Sequence, residues 1–321
     1  MSVSRADVVW CYEKILGRSP ESEAVIEAQS HWPDTKALVL AFLNSEEFLL
    51  QHPRISSAEH AIDLGLPTVL EKLVIEAEAS ANELAKCAAK IKTAWEHLGS
   101  ERAHYSVLSN DDFMPDKLDG ELDRFWATGE VEVAQALRAA ELYGSGKNAA
   151  KVCVEYGCGV GRLTGHFAKA YKLVHAYDIS RNHLEHARAR TRALGVSNVR
   201  FHECSEDFRV AIEPCDFFYS VIVLQHNPPP VIVELIRIAL TALKPGGVAM
   251  FQVPTHIMGY RFCLAEWLAA EHDLDMQMHC VPQEAILKII AATGCRLLGI
   301  REDGCTGARD KIVSNTFFCS K

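Results

Sequence analysis

The sequence predicts an α/β protein: a mostly parallel sheet with helices on both faces, joined by a long linking helix to an all-helical N-terminal domain. Three observations carry this. From about residue 101 the apolar pattern switches repeatedly between short strand-like runs and helical runs, as a parallel sheet covered by helices requires. Within that region Lys151-Val152-Cys153-Val154-Glu155-Tyr156-Gly157-Cys158-Gly159-Val160-Gly161 passes from a strand through three glycines on alternate positions. A helical pattern follows at once, so strand, glycine turn and helix N-terminus offer bare backbone to a nucleotide-like ligand. Before residue 100, by contrast, every apolar repeat is helical.

Residues 1 to about 55 open with Val8, Val9, Tyr12, Ile15 and Leu16 at helical spacing, ended by Gly17. Ser19-Pro20-Glu21 reads as an N-cap, a first-turn proline and a first-turn acid that start a second helix. Ala37, Leu40 and Ala41, then Phe48 and Leu49, suggest two more. Between 68 and 98, Leu70, Val74, Ala77, Ala81, Leu84, Ala88, Ile91, Trp95 and Leu98 alternate four and three residues apart. That is a coiled-coil seam, and it predicts a homodimer through this helix. The alternative is one long helix laid on its own domain.

Beyond 101, strands are predicted at Val152–Glu155, Leu173–Tyr177, Val199–His202, Asp216–Val223, Val248–Val253, Arg296–Ile300 and Thr316–Cys319. Helices are expected at Arg162–Tyr171, after Ser180 with Leu184, Ala187, Thr191 and Leu194 inward, and at Val231–Leu243. Lys244-Pro245-Gly246-Gly247 turns the last of these back toward the sheet. Tyr105, Phe125, Trp126 and Gly129 precede the first strand; Phe125 and Trp126 read as core, the alternative being a segment folded over the site.

Composition narrows the function. With 49% hydrophobic and 23% charged residues the chain is ordinary for a globular protein, and 321 residues allow one substantial domain and a smaller one. A net charge of -9 weighs against a nucleic-acid partner, which favours a basic face. No apolar run approaches a membrane span, and Arg5, Asp7, Glu13 and Lys14 interrupt any leader-like pattern, so a cytoplasmic setting is expected. Eleven cysteines without a C-x-x-C pair read as reduced, packed thiols. No residues are assigned to a metal: His272, Asp273, Asp275 and His279 match no ligand spacing and are read as loop polarity. His183 and His186, on a helix with Arg188, Arg190 and Arg192, are read as a solvated face.

The glycine turn does not follow the dinucleotide fingerprint G-x-G-x-x-G, because Arg162 stands where its third glycine belongs. What is present is E-x-G-x-G-x-G, which resembles motif I of the class I S-adenosylmethionine-dependent methyltransferases. Asp178, twenty-one residues after Gly157, ends the second strand, where an acid can accept hydrogen bonds from both ribose hydroxyls. The resemblance runs from about 120 to the C-terminus and implies a Rossmann-like methyltransferase sheet with an antiparallel pair at its edge. It implies S-adenosyl-L-methionine as cofactor, held by Glu155 at the methionine end, by Gly157, Cys158, Gly159 and Gly161, and by Asp178 and Ile179 at the ribose. It further implies an adenine contact from Ser205 or Glu206, not separated by sequence, and packing by the backbone around Leu224. A second resemblance rests on Tyr12-Glu13-Lys14-Ile15-Leu16-Gly17-Arg18-Ser19-Pro20 and Leu43-Asn44-Ser45-Glu46-Glu47-Phe48. These phrases are similar to a small helical domain of unassigned function that bacteria attach to glycan-modifying or surface-associated proteins.

His226 closes the fourth predicted strand, at the sheet edge where ligands bind, and an imidazole titrates in the range a general base needs. It serves as base or as pocket lining. His256 and Tyr260, after the fifth strand, are candidate acceptor contacts. The expected activity is O-methylation of a sugar or glycan-type hydroxyl. N-methylation of a small amine or protein side chain, and a non-enzymatic assembly module on the same fold, remain the alternatives.

Overall fold

The computed structural model describes residues 3–45, 47–48, 72–144, 151–204, 211–271, 274–308 and 311–321. The chain forms two compact units, Met1–Leu70 and Glu71–Lys321. In the first, α1 (Arg5–Lys14), α2 (Glu23–Gln29) and α3 (Thr35–Leu43) are each started by a side-chain cap, from Ser4, Ser22 and Asp34. Such caps satisfy N–H groups that the first helical turn leaves without partners. Ser22, rather than Ser19, caps the second helix. Val8, Cys11, Tyr12, Leu38 and Phe42 form the core, with Tyr12 edge-on to Phe42 at 4.8 Å.

The second unit is built on seven strands: β2 (Val152–Tyr156), β3 (Leu173–Asp178), β4 (Val199–Glu203), β5 (Cys215–Ser220), β6 (Leu243–Ile257), β8 (Arg296–Asp303) and β9 (Ile312–Ser320). Their order is β4-β3-β2-β5-β6-β9-β8, parallel except that β9 runs antiparallel to both β6 and β8. This is the Rossmann-like methyltransferase fold with its antiparallel edge. A separate two-residue pairing joins β1 (Val74–Ile75) to β7 (Arg261–Phe262). Lys244-Pro245-Gly246-Gly247 lies inside β6, where pairing with β5 jumps from Cys215–Leu243 to Phe217–Val248.

Apolar layers cover both faces, so the central strands read as nearly continuous hydrophobic runs. One layer joins α4 (Ala81–Glu101), α9 (Pro229–Thr241) and α11 (Gln283–Ala292) through Leu84, Ile91, Ile232, Ile236, Ile286 and Ile290. The other packs α6 (Leu118–Leu142) and α7 (Thr164–Ala170) on the opposite face through Val133, Ala136, Phe167, Phe217 and Tyr219. α5 (Ala103–Val107), α8 (Arg181–Ala193) and α10 (Leu264–Ala269) complete the unit. Among the described residues no helix is long and apolar enough to cross a membrane.

The linking helix differs from the predicted 68–98. It starts at Ala81, because Ser80 and Glu83 form a reciprocal capping box, while Val74 and Ile75 are extended in β1. Leu70 lies outside the described residues. The seam from Leu84 through Ala88 and Ile91 to Leu98 is buried at 0–5% exposure within its own unit. A narrow apolar stripe suits a partner helix or a domain surface equally well, and here it packs on the domain. Those four side chains are therefore taken up by their own domain rather than by a partner helix.

Gly129 of α6 lets that helix touch the loop after β2: a Cβ there would sit 2.2 Å from the Arg162 carbonyl oxygen. Because the obstacle is backbone, Gly129→Ala is expected to destabilise the unit by about 1–3 kcal/mol, partly offset by the better helix propensity of alanine. A lowered melting temperature in calorimetry checks this; an unchanged one contradicts the close approach.

Candidate active site

β3 and β5 flank β2 on opposite sides, so successive connections leave in two directions and a crevice opens at the carboxyl end of β2. The glycine turn forms its floor. Gly157 and Gly159 have φ of 79° and 52°, a region costly for other residues. A Cβ on Gly157 would meet Val223 at 2.3 Å, and one on Gly159 would meet Val107 at 2.4 Å. Main-chain bonds to the Tyr177 oxygen from Gly157 (2.8 Å) and Cys158 (2.9 Å) tie the turn to the end of β3.

Asp178, 7% exposed, accepts from the Gly159 N–H at 2.8 Å through Oδ2 and from the Ser180 N–H at 2.9 Å through Oδ1. Each oxygen keeps a lone pair for a further donor. Across the cleft Glu155 is 2% exposed, and its Oε2 has no hydrogen-bond partner among the described residues. Burial raises its pKa to about 8, against the opposing pull of Thr164 and Arg162. Arg162, also buried, donates to Glu132 at 2.6 Å, and Glu132 accepts from the Tyr219 hydroxyl at 2.7 Å.

The resulting cleft encloses about 780 Å³, counting space open to solvent, and is lined by Glu155, Gly157, Cys158, Gly159, Asp178 and Ile179 among others. Its outer wall comes from α4 and α5, through Ile91, Trp95, Ser106 and Val107. Glu96 anchors this wall by accepting from the Arg181 N–H (2.9 Å) and the Asn182 N–H (3.3 Å) at the start of α8, where an anion is favoured. Lys92 adds an ion pair to Glu203 at 2.6 Å.

Gly161 and Leu224 do not line the cleft. Gly161 lies under α8, against Ala187, and Leu224 is core, although its neighbours Val223 and Asn227 do reach the cleft. Ser205 and Glu206 lie outside the described residues; Cys204, just before them, lines the cleft. His226 sits beyond Trp95, whose ring centroid is 5.6 Å from its own, in a second pocket that shares Ile91 and Trp95 with the first. Its Nδ1–H donates to the Gln277 carbonyl at 2.8 Å, so Nε2 carries the lone pair, which accepts from the Gln225 amide at 3.3 Å. Burial lowers its pKa.

His256 departs from expectation. β6 continues through Ile257 because β9 pairs with it that far, so His256 is buried inside a strand opposite Val313. It does not stand on the rim. Tyr260 donates its hydroxyl to His279 Nδ1 at 2.6 Å, and His279 Nε2–H donates to Gln277 Oε1 at 3.2 Å. Tyr260 thus does not line the second pocket and meets it through His279, which bonds Gln277 and packs on Trp267. His272 and Asp273 lie outside the described residues, and Asp275 pairs with Arg102 at 2.9 Å.

Residues 153–247 match the family model described as a methyltransferase domain. The chain contains a methyltransferase domain. Over 130 residues it is 32% identical to a ubiquinone biosynthesis O-methyltransferase of Ralstonia nicotianae, a match covering 40% of this chain and 52% of that protein. The chain thus spans about half the length of the curated relative it matches. Among solved structures it is similar to the magnesium protoporphyrin IX methyltransferase of Synechocystis with bound S-adenosylmethionine. That likeness has a TM-score of 0.49 and 17% identity, covering 73% of this chain and 97% of that one. A second likeness is to the N-methyltransferase NodS of Bradyrhizobium japonicum, with a TM-score of 0.45 and 19% identity, covering 70% and 98%.

Several cleft residues of the methyltransferase domain escaped the sequence reading. His183 is 1% exposed, not solvated: Nε2 lies 2.9 Å from Ser106 Oγ, and Nδ1 lies 3.8 Å from Asp178 Oδ1. A signal existed, since a residue three after the Ser180 cap sits in the first turn, directed back at the strand end. Arg162 was read only as a break in a glycine pattern. Ser106 carried no signal at all.

Proposed function

We propose that the protein is a class I S-adenosyl-L-methionine-dependent methyltransferase acting on a hydroxyl of a sugar or glycan-type acceptor. The observation that carries the cofactor reading is the buried Glu155 carboxyl with an unpartnered oxygen, in one cleft with the bare glycine turn and Asp178. The residues fit that group: Glu155 suits its ammonium, the remaining Asp178 lone pairs suit its ribose hydroxyls, and the glycine turn leaves room for what joins them. When bound, S-adenosyl-L-methionine supplies an activated methyl group. The protein then has to align the acceptor, exclude water and take up a proton. His226 is suited to the last task, because the Gln277 carbonyl fixes its tautomer and burial keeps the ring neutral. The hydroxyl reading draws further support from the O-methyltransferase relative. The sugar reading draws on the N-terminal phrases that resemble a domain of glycan-modifying proteins.

The test follows from Glu155. The unfolded chain releases this proton near pH 4.5 and the folded protein near pH 8. The group therefore favours folding fully below 4.5, and that contribution is lost as pH rises through 8. A ligand ammonium favours the ionised form instead. Binding of S-adenosylhomocysteine, which keeps that ammonium, is expected to release a proton at neutral pH. It should tighten up to about pH 8 and then level, as linkage to a single ionising group requires. Calorimetry in two buffers of different ionisation heat reads both effects, and Glu155→Gln should remove them. Absence of binding at millimolar ligand would refute the cofactor reading.

A further inference from the structure

Between β5 and His226 the chain makes a turn that its own residues oppose. Ile222 has φ of 59°, and it is the only non-glycine with a positive φ among the described residues. A β-branched side chain avoids that region, because its Cβ crowds the backbone. Strain of this kind persists only where neighbours impose it. The turn serves the cleft: Ile222 and Val223 line it, and Val223 packs over the bare face of Gly157.

What imposes the turn is one buried amide. Gln252 of β6, fully buried, accepts from the Ile222 N–H at 2.9 Å through Oε1. A main-chain N–H can only donate, so this bond fixes which end of the amide is oxygen. Gln252 Nε2 then donates to Gln225 Oε1 at 2.9 Å and to Ser314 Oγ of β9 at 2.7 Å, both on buried residues. That leaves the Gln225 amide nitrogen facing His226 Nε2 at 3.3 Å. The far end closes the chain, since His226 Nδ1–H donates to the Gln277 carbonyl. Donors and acceptors therefore run in one direction, from Ile222 through Gln252, Gln225 and His226 to Gln277. Reversing any amide would set donor against donor in the interior, where an unmet polar group is costly.

We infer that Gln252 is a positioning residue for both chambers: it holds the Ile222 turn against the cofactor cleft and, through the Gln225 amide, holds the lone pair of His226. The inference rests on the roles proposed above for the cleft and for His226. The Gln225 bond is long, so an arriving hydroxyl can take its place on Nε2.

The test needs no acceptor. S-Adenosylhomocysteine calorimetry and imidazole nitrogen NMR are run on the full chain and on its Gln252→Met, Gln225→Met and doubly substituted variants, with the His226 ring assigned by its loss in His226→Ala. In the wild type that ring is expected as the Nδ1–H tautomer, titrating below 6.5. The neighbouring His279, lowered to about 4 chiefly by burial, adds no competing titration near neutrality. An N–H donated to the neutral ring opposes its protonation, so each methionine variant should raise the His226 titration by about half a unit or more, the equivalent of one hydrogen bond. The double variant should titrate as Gln252→Met does, because both changes remove the same bond. Gln252→Met alone of the two single variants should also weaken S-adenosylhomocysteine binding, by about three- to tenfold, because it releases the Ile222 N–H. An Nε2–H tautomer in the wild type, unchanged affinity in Gln252→Met, or a titration shift in Gln225→Met that Gln252→Met lacks overturns the inference. The wild-type and Gln225→Met spectra decide the His226 arm even if Gln252→Met fails to fold. Failure of the wild type to bind S-adenosylhomocysteine falls on the cofactor assignment, and the ring titration then still tests Gln252.

Discussion

Asp178→Ala is expected to weaken S-adenosylhomocysteine binding by at least about 100-fold, the largest effect of any single cleft substitution. The carboxylate accepts from the Gly159 and Ser180 N–H groups at 2.8 and 2.9 Å, and both oxygens are proposed to accept from ribose. Hydrogen bonds to a charged acceptor contribute about 1.5–3 kcal/mol each, so losing two from the ligand corresponds to about two to four orders of magnitude. The substitution also leaves two N–H groups of the cradle without partners, so a modest fall in melting temperature accompanies it. Calorimetry on the folded variant decides: an affinity within a few-fold of wild type would remove Asp178 from the ribose site.

His226→Ala is expected to lower kcat by about two to four orders of magnitude for a hydroxyl acceptor found in a labelled-methyl screen, the usual range for a positioned base. Its affinity for S-adenosylhomocysteine should be unchanged, because the imidazole lies beyond Trp95 and outside the cofactor cleft. The pH profile gives an independent reading. Burial holds the imidazole pKa below its ordinary 6.5, so a base role predicts that kcat stays level from pH 8 through neutrality and falls only in acid. An amine acceptor that attacks unaided would leave His226→Ala largely active. Retained turnover in that variant would return His226 to pocket lining and favour N-methylation.

What the sequence revealed follows from how local each feature is. The turn at Gly157 and Gly159 is dictated by consecutive residues, and an acid closing the neighbouring strand is a fixed distance along the chain, so both were legible. The heptad seam was legible as a helix but not as a surface, since Leu84, Ile91 and Leu98 show one periodicity whether they meet a partner or their own sheet. His256 was misplaced because β9, some sixty residues later, decides how far β6 extends. Lys90 and Trp267 are 177 positions apart, and nothing in either neighbourhood announces their meeting. Contacts of that kind come from the packing of α4 across the domain, which composition and spacing do not encode.

That helix has a consequence for how ligands are to be sought. One turn and a half of α4 carries Lys90 to the second pocket, Ile91 and Trp95 to both pockets, and Glu96 to the start of α8. Ile91 and Trp95 therefore form a wall common to both chambers, so a ligand in one packs against side chains that also line the other. Thermodynamic reciprocity requires that whatever factor donor binding applies to acceptor affinity, acceptor binding applies to donor affinity. An acceptor search on the empty protein samples only one corner of that square, and the product-loaded protein is the more informative target.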